Sequence, residues 1–280
     1  MEKFEHTRVS SRIIRIVDLS HTALYLVIGD ERACLIDTGC GIQGLRSYVD
    51  SLTCLDYDVI LTHGHVDHAG GAEEFSDKKI YLHPADRDLM KAHVQDDIRI
   101  DYLRFAGKID IAADQLSPSL DPSLTLPLND EDRFDLGGLH LKAIHVPGHT
   151  HGMCMILIEE ERTILFGDGC GVSVMILDEY STTVSEYLEA LKKVKQIEDS
   201  YDLVIRNHGT FVSEKDILDN VMACCQSILN ETDDHVPAEG LPVSCDDAFF
   251  AKKMVKDKNG HVMREDGKQG NIAYRMSKIR

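Results

Sequence analysis

The 280-residue sequence has no CxxC pair, no internal repeat and no low-complexity segment. No apolar run approaches the ~20 residues that a membrane-spanning helix needs, so a transmembrane protein is not expected. The opening residues, Met1-Glu2-Lys3-Phe4-Glu5-His6, have no apolar stretch of the signal-peptide kind, and a cytoplasmic location is the expectation. Positive charge is scarce: 30 Lys/Arg face 48 Asp/Glu, for a formal net charge of −18. Coulomb repulsion then argues against nucleic acid or an anionic membrane as the partner. The deficit is uneven. Residues 251–280 hold 9 Lys/Arg and 3 Asp/Glu, a local +6 that leaves −24 on the rest. Such a tail is expected to fold back on its own acidic body or on a second copy, giving a homodimer through the C-terminal extension. Cys224 and Cys225 are adjacent and poorly placed to pair, and buried free thiols are expected for most of the eight cysteines.

A hydrophobic fraction of 43% with 28% charged residues is that of an ordinary globular chain, long enough for one large core or two modest ones. Apolar runs predict a β-meander over 12–37, a helix over 43–52, and strands over 58–62 and 79–82. Pro84 suits the first turn of a helix over 84–94. Residues 96–120 read as a surface helix or as a flap near a site. Strands are predicted over 139–146, 155–158, 163–166 and 202–205. Thr183 and Glu186 have capping-box spacing and open an amphipathic helix, and a further helix is predicted over about 214–229. Residues 231–250 read as a loop-rich link. Asn259-Gly260 signals a tight hairpin, and 266–270 a second turn.

The densest chemistry lies in Leu61-Thr62-His63-Gly64-His65-Val66-Asp67-His68-Ala69-Gly70-Gly71, where three histidines and a carboxylate fall within six residues. A buried strand precedes this stretch and a helix start follows it. His63 and His65 can point the same way from an extended loop, while Asp67 and His68 diverge as the helix begins. One loop can thus serve two neighbouring metal positions. Ligand-type residues recur at later strand ends: His149 in Pro147-Gly148-His149-Thr150, Asp168 in Gly167-Asp168, and His208 in His208-Gly209.

These motifs, together with Asp37-Thr38-Gly39, resemble the metallo-β-lactamase superfamily over roughly residues 12–230. The resemblance implies an α/β (α+β) fold, a four-layer αββα sandwich. The domain expectation is a metallohydrolase domain over 1–230, with a small C-terminal β appendage over 231–280 packed on the core or on a partner subunit. It further implies that His63, His65 and His149 hold one metal, that Asp67, His68 and His208 hold a second, and that Asp168 bridges them. Asp37 would orient a ligand from behind. Two divalent ions are expected, zinc first, with iron or manganese as alternatives.

The expected activity is that of a dinuclear-metal hydrolase. A metal-bridging hydroxide would cleave an ester, thioester, lactone or phosphoester in a small molecule, with Asp67 and Asp168 as catalytic carboxylates. His151, Cys170 and Tyr180 are candidates for substrate contact. Lactone-cleaving relatives often have Tyr three positions after the bridging Asp, where this sequence has Gly171. Glutathione-thioester hydrolases use basic residues soon after it, and 169–191 contains none. Two alternatives stand beside the hydrolase. One is an iron-dependent oxidoreductase, against which His65 counts because diiron relatives usually have Glu there. The other is a non-catalytic metal-binding module.

Overall fold

The computed structural model describes residues 3–238, 247–256 and 262–280. Its middle layers are two sheets. The first takes β1 (Phe4–Arg8), β2 (Ile13–Asp18), β3 (Ala23–Ile28), β4 (Ala33–Ile36), β5 (Tyr57–Ile60), β6 (Ile80–Leu82) and β7 (Leu126–Pro127) in chain order. The chain continues through β8 (Arg133–Asp135), β9 (His140–His145), β10 (Cys154–Ile158), β11 (Thr163–Leu165), β12 (Val174–Ile176), β13 (Leu203–Ile205) and β14 (Val212–Ser213). All of these but β12 form the second sheet, ordered β14-β13-β11-β10-β9-β8.

The central strands β3, β4, β10 and β11 read as unbroken apolar runs because both faces of the sheets are covered there. On β3, Leu24 and Leu26 face outward, while Tyr25 and Val27 face the second sheet. The inner core joins Tyr25, Val27, Ile36 and Ile60 to Leu141, Ile156, Leu165 and Ile205. Outside the first sheet lie α1 (Leu45–Leu52), the short α2 (Val66–Ala69), α3 (Arg87–His93) and α4 (Asp96–Tyr102). Leu45, Val49 and Met90 from this layer pack on Leu24, Leu26 and Val59. Outside the second sheet lie α5 (Val184–Gln196) and α6 (Ile217–Leu229). Val184, Leu191, Val221 and Ile228 pack there on Ile144, Leu157, Ile164 and Val204. The layers are therefore αββα, as expected. Thr183 and Glu186 form the capping box at the start of α5.

Within 231–250, the stretch read as a link, the structure instead places β15 (Val236–Pro237) and β16 (Ala248–Phe250). Strands of two and three residues are too short to leave a periodic signal. After β17 (Met254–Lys256), β18 (Val262–Arg264) and β19 (Ile272–Arg275), a third sheet forms in the order β12-β19-β16-β15. Because β12 comes from the centre of the chain, this sheet ties the C-terminal strands to the body through the β12–β19 parallel pair. The Asn259-Gly260 turn lies outside the described residues. The seven described cysteines are free thiols. Among the described residues, no helix is long and apolar enough to cross a membrane.

Candidate metal centre

Strand direction decides where the polar loops meet. β4 and β5 run parallel, so Asp37 and the His63–His68 loop leave the first sheet at one edge. β9 and β11 are both antiparallel to β10, and β13 is parallel to β11. The loops carrying His149, Asp168 and His208 therefore leave the second sheet at one edge as well. The structure brings the two sets together. Ligand atoms of His63, His65 and His149 lie within 4.8 Å of one another, as do those of His63, His68 and Asp168, and those of Asp67, His68 and His208. Asp168 Oδ2 lies between the groups, 3.7 Å from His149 Nε2 and 3.3 Å from His208 Nε2.

The imidazoles are held from behind. His63 Nδ1 donates to Thr62 Oγ1 (3.0 Å), which donates to Asp37 Oδ2 (2.9 Å). His68 Nδ1 donates to Asp37 Oδ2 (2.9 Å) and His149 Nδ1 to the Met175 carbonyl (2.8 Å). Each of these bonds places the proton on Nδ1 and leaves the Nε2 lone pair aimed at the centre. His68 Nε2 and His149 Nε2 are buried without a hydrogen-bond partner, a costly state for a polar atom unless something binds it. With its proton on Nδ1, His63 presents a lone pair to His65 Nδ1 at 3.0 Å. Donors of this type and arrangement fit borderline divalent ions.

Burial, with neighbouring imidazoles second, pushes His63 and His65 far below the ordinary imidazole range, so both are neutral. Burial acts the same way on His68 and His208, but there the carboxylates of Asp67 and Asp168 outweigh it and draw the pKa upward. These carboxylates thus favour a second proton on the ring, in the place where a bound cation would instead take the Nε2 lone pair. Burial raises Asp168 and Asp67, and His208 and His68 overcome it, leaving both carboxyls ionised.

Asp37, fully buried, also accepts from Thr62 N (2.7 Å) and Asn207 Nδ2 (2.9 Å). It thus joins the loops of β4, β5 and β13. Sequence reasoning missed three further supports. Asp86 accepts from Gly64 N (3.0 Å), Thr150 Oγ1 (2.7 Å) and Gly152 N (2.6 Å), tying the loop after β5 to the loop after β9. Burial raises its pKa despite those bonds. Tyr102 Oη donates to Asp67 Oδ2 (2.7 Å), and so does Thr22 Oγ1 (2.9 Å). Asp86 follows His83-Pro84 just past a strand end, a position that matches the other site residues. Tyr102 was visible only as part of an apolar helix face. Gly64 is required by close approach, since a Cβ there would meet the Asp86 carbonyl oxygen at 2.7 Å.

A cavity of about 1320 Å³ opens over the centre, with His65, Asp67, His149, Asp168 and His208 in its floor. The three candidates for substrate contact do not line it. His151 is exposed, and its Nε2 faces the Glu179 carbonyl (3.2 Å). Cys170 is buried in the outer core, where burial pushes its thiol up. Tyr180 stands behind His93, ring to ring at 6.0 Å, and His93 is the residue that reaches the cavity.

A family profile described as the metallo-beta-lactamase superfamily matches residues 17–201, and the chain belongs to that family. It is similar to an uncharacterized protein of Mycobacterium tuberculosis, 35% identical over 126 residues, 43% of this chain and 52% of the relative. The match thus spans about half of that relative's length. It is also similar to acyl-coenzyme A thioesterase MBLAC2 of Bos taurus, 26% identical over 215 residues, 69% of this chain and 75% of the relative. Among solved structures, a metallo-beta-lactamase from Pontibacter korlensis shares the fold. The TM-score is 0.56 at 16% identity, covering 79% of this chain and 97% of that one.

Proposed function

We propose that the chain is a dinuclear-metal hydrolase that cleaves a thioester or related ester in a small molecule. The observation that carries this reading is the set of buried imidazoles whose Nδ1 atoms are anchored and whose Nε2 atoms converge, two of them without a partner. His63, His65 and His149 would hold one ion, Asp67, His68 and His208 a second, and Asp168 would bridge them. Zinc suits this donor set best. Bound ions would supply water that ionises near neutral pH and polarise the scissile carbonyl.

The chain's own residues do the rest. Asp37 and Thr62 fix the tautomers of His68 and His63. Thr22 and Tyr102 hold Asp67 Oδ2 in place. Asp67 and Asp168 are the carboxylates at hand to pass a proton to the leaving group. Thioesters are favoured over the other bonds by the named activity of the bovine relative.

The test is metal quantification on the purified protein followed by a panel of thioesters, lactones, phosphodiesters and aryl esters. About two ions per chain are expected, with thioester turnover that Asp168→Ala abolishes. Full activity in that variant would remove Asp168 from the mechanism. Oxygen uptake by an iron-loaded protein with no hydrolysis would replace the hydrolase by an oxidoreductase.

A further inference from the structure

The described surface leaves seven large apolar side chains exposed, and three of them, Ile98 (40% exposed), Phe105 (54%) and Met263 (37%), line the cavity above the metal centre. They come from two distant segments. Ile98 and Phe105 stand on α4 and the π turn Leu103–Gly107 that follows it. Met263 stands on β18, in the C-terminal strands. Deeper in the same cavity are the part-buried Met175 and the buried Leu177, beside His149 and Asp168. The α4 wall is fixed to the metal-binding loop. Tyr102 Oη donates to Asp67, and the buried Arg99 donates through Nη1 to the Gly70 carbonyl (3.0 Å). The opposite wall, with Met263, Arg264, Gly267, Lys268 and Gln269, comes from outside the segment that the family profile matches, and so carries two cations beside its one large apolar side chain.

We infer that this cavity is an acyl-chain cleft, with Ile98, Phe105 and Met263 as the residues that determine chain length. The C-terminal strands would serve as the wall that completes it. A polar floor that meets the scissile carbonyl, continuous with the open apolar side chains of Ile98, Phe105 and Met263, matches a substrate whose acyl group is a long aliphatic chain, with Arg264 and Lys268 left at the rim for its polar end. At about 1320 Å³ the cavity exceeds the ~300–1,000 Å³ of common small-molecule sites and has room for such a chain. Covering exposed apolar surface with methylenes is favourable, and each one fully buried strengthens binding by roughly fourfold. This inference rests on the hydrolase reading only for its turnover measurement.

The experiment uses the metal-loaded full chain and acyl N-acetylcysteamine thioesters from acetyl to dodecanoyl. In parallel, binding of the free fatty acids of the same lengths is followed by calorimetry. Wild-type kcat/KM is expected to rise about twofold or more per methylene until the cleft is filled. Phe105→Ser and Met263→Ser should each cut the dodecanoyl-to-acetyl ratio about tenfold. Leu124→Ser, at a side chain 67% exposed and outside the cavity, should leave the profile unchanged. Because Phe105 and Met263 are exposed, these variants are expected to fold. Turnover with a flat chain-length profile, or a profile that neither variant alters, overturns the cleft and leaves the hydrolase standing. Graded fatty-acid binding that Phe105→Ser weakens, without turnover of any thioester, supports the cleft and overturns the thioester as the bond cleaved. Absence of both overturns both.

Discussion

Asp37 holds its backbone at φ 66°, in the left-handed region that a non-glycine residue seldom occupies. The cost is offset by what its carboxylate gathers. One oxygen accepts from His68 Nδ1 and Asn207 Nδ2, and the other from Thr62 N. Asp37→Asn therefore has a predictable defect, although it keeps the volume. Either orientation of the amide sets an N–H against a donor. If it faces His68, the imidazole proton moves to Nε2, the atom aimed at the centre. The expected result is a folded protein whose metal affinity falls ~10–100-fold, the usual scale for loss of a group that orients a ligand. Metal titration followed by competition with a chromophoric chelator measures it. Unchanged affinity would mean that Asp37 supports the loops and not the imidazole. Asp37→Ala strands several buried donors at once and is expected to lower stability by about 3 kcal/mol in denaturant unfolding.

At the scale of elements, the loop after β6 meets the end of β9 outside the centre. His83 and His145 stack there with ring centroids 3.9 Å apart and planes 10° from parallel. Burial first, and the neighbouring His145 second, push His83 down to about 4, with Asp130 opposing. The sign of the linkage follows. Between an ordinary imidazole pKa of ~6.5 and about 4, the unfolded chain binds a proton that the folded chain refuses. Stability should fall as pH drops through that window and flatten below it. In an NMR titration the His83 ring signals should keep their neutral shifts until well below pH 6, and His145→Gln should raise the midpoint. A His83 midpoint near 6.5 in the native protein would show that the stack carries no such penalty.

A second element, the segment after α3, shows where reading from sequence stops. Ile98, Tyr102 and Phe105 have helical spacing, so the helix was legible. The same spacing could not say that Tyr102 would reach Asp67, because that contact joins positions 35 apart in the chain and is set by packing. The His63–His68 loop was legible because its ligands are crowded into one strand end. β12 and β14 were not legible, for they are three and two residues long. The surroundings of Cys170 were not legible for a related reason. Two positions past Asp168 it has already turned into the outer core, where it packs with Phe166 and Tyr187.

For the whole molecule, the centre is where the two sheets are joined by side chains rather than by apolar packing. His63, His65, Asp67 and His68 come from the first sheet, and His149, Asp168 and His208 from the second. Divalent ions bound to both sets would cross-link the sandwich at one edge and add to the stability of the folded state alone. An ion held at 100 times its Kd contributes about 2.7 kcal/mol, reduced by whatever binding the unfolded histidines and cysteines retain. Calorimetry on zinc-loaded protein and on protein stripped by chelation should therefore show the stripped form melting lower. Returning zinc should restore the transition in proportion to its concentration. In Asp168→Asn the zinc-dependent rise should shrink, because one charge that faces both ligand groups is gone. Identical melting with and without zinc would mean that the ligand groups close on one another without an ion. The 3.0 Å approach of His63 Nε2 to His65 Nδ1, and the partnerless Nε2 atoms of His68 and His149, would then need another source of compensation.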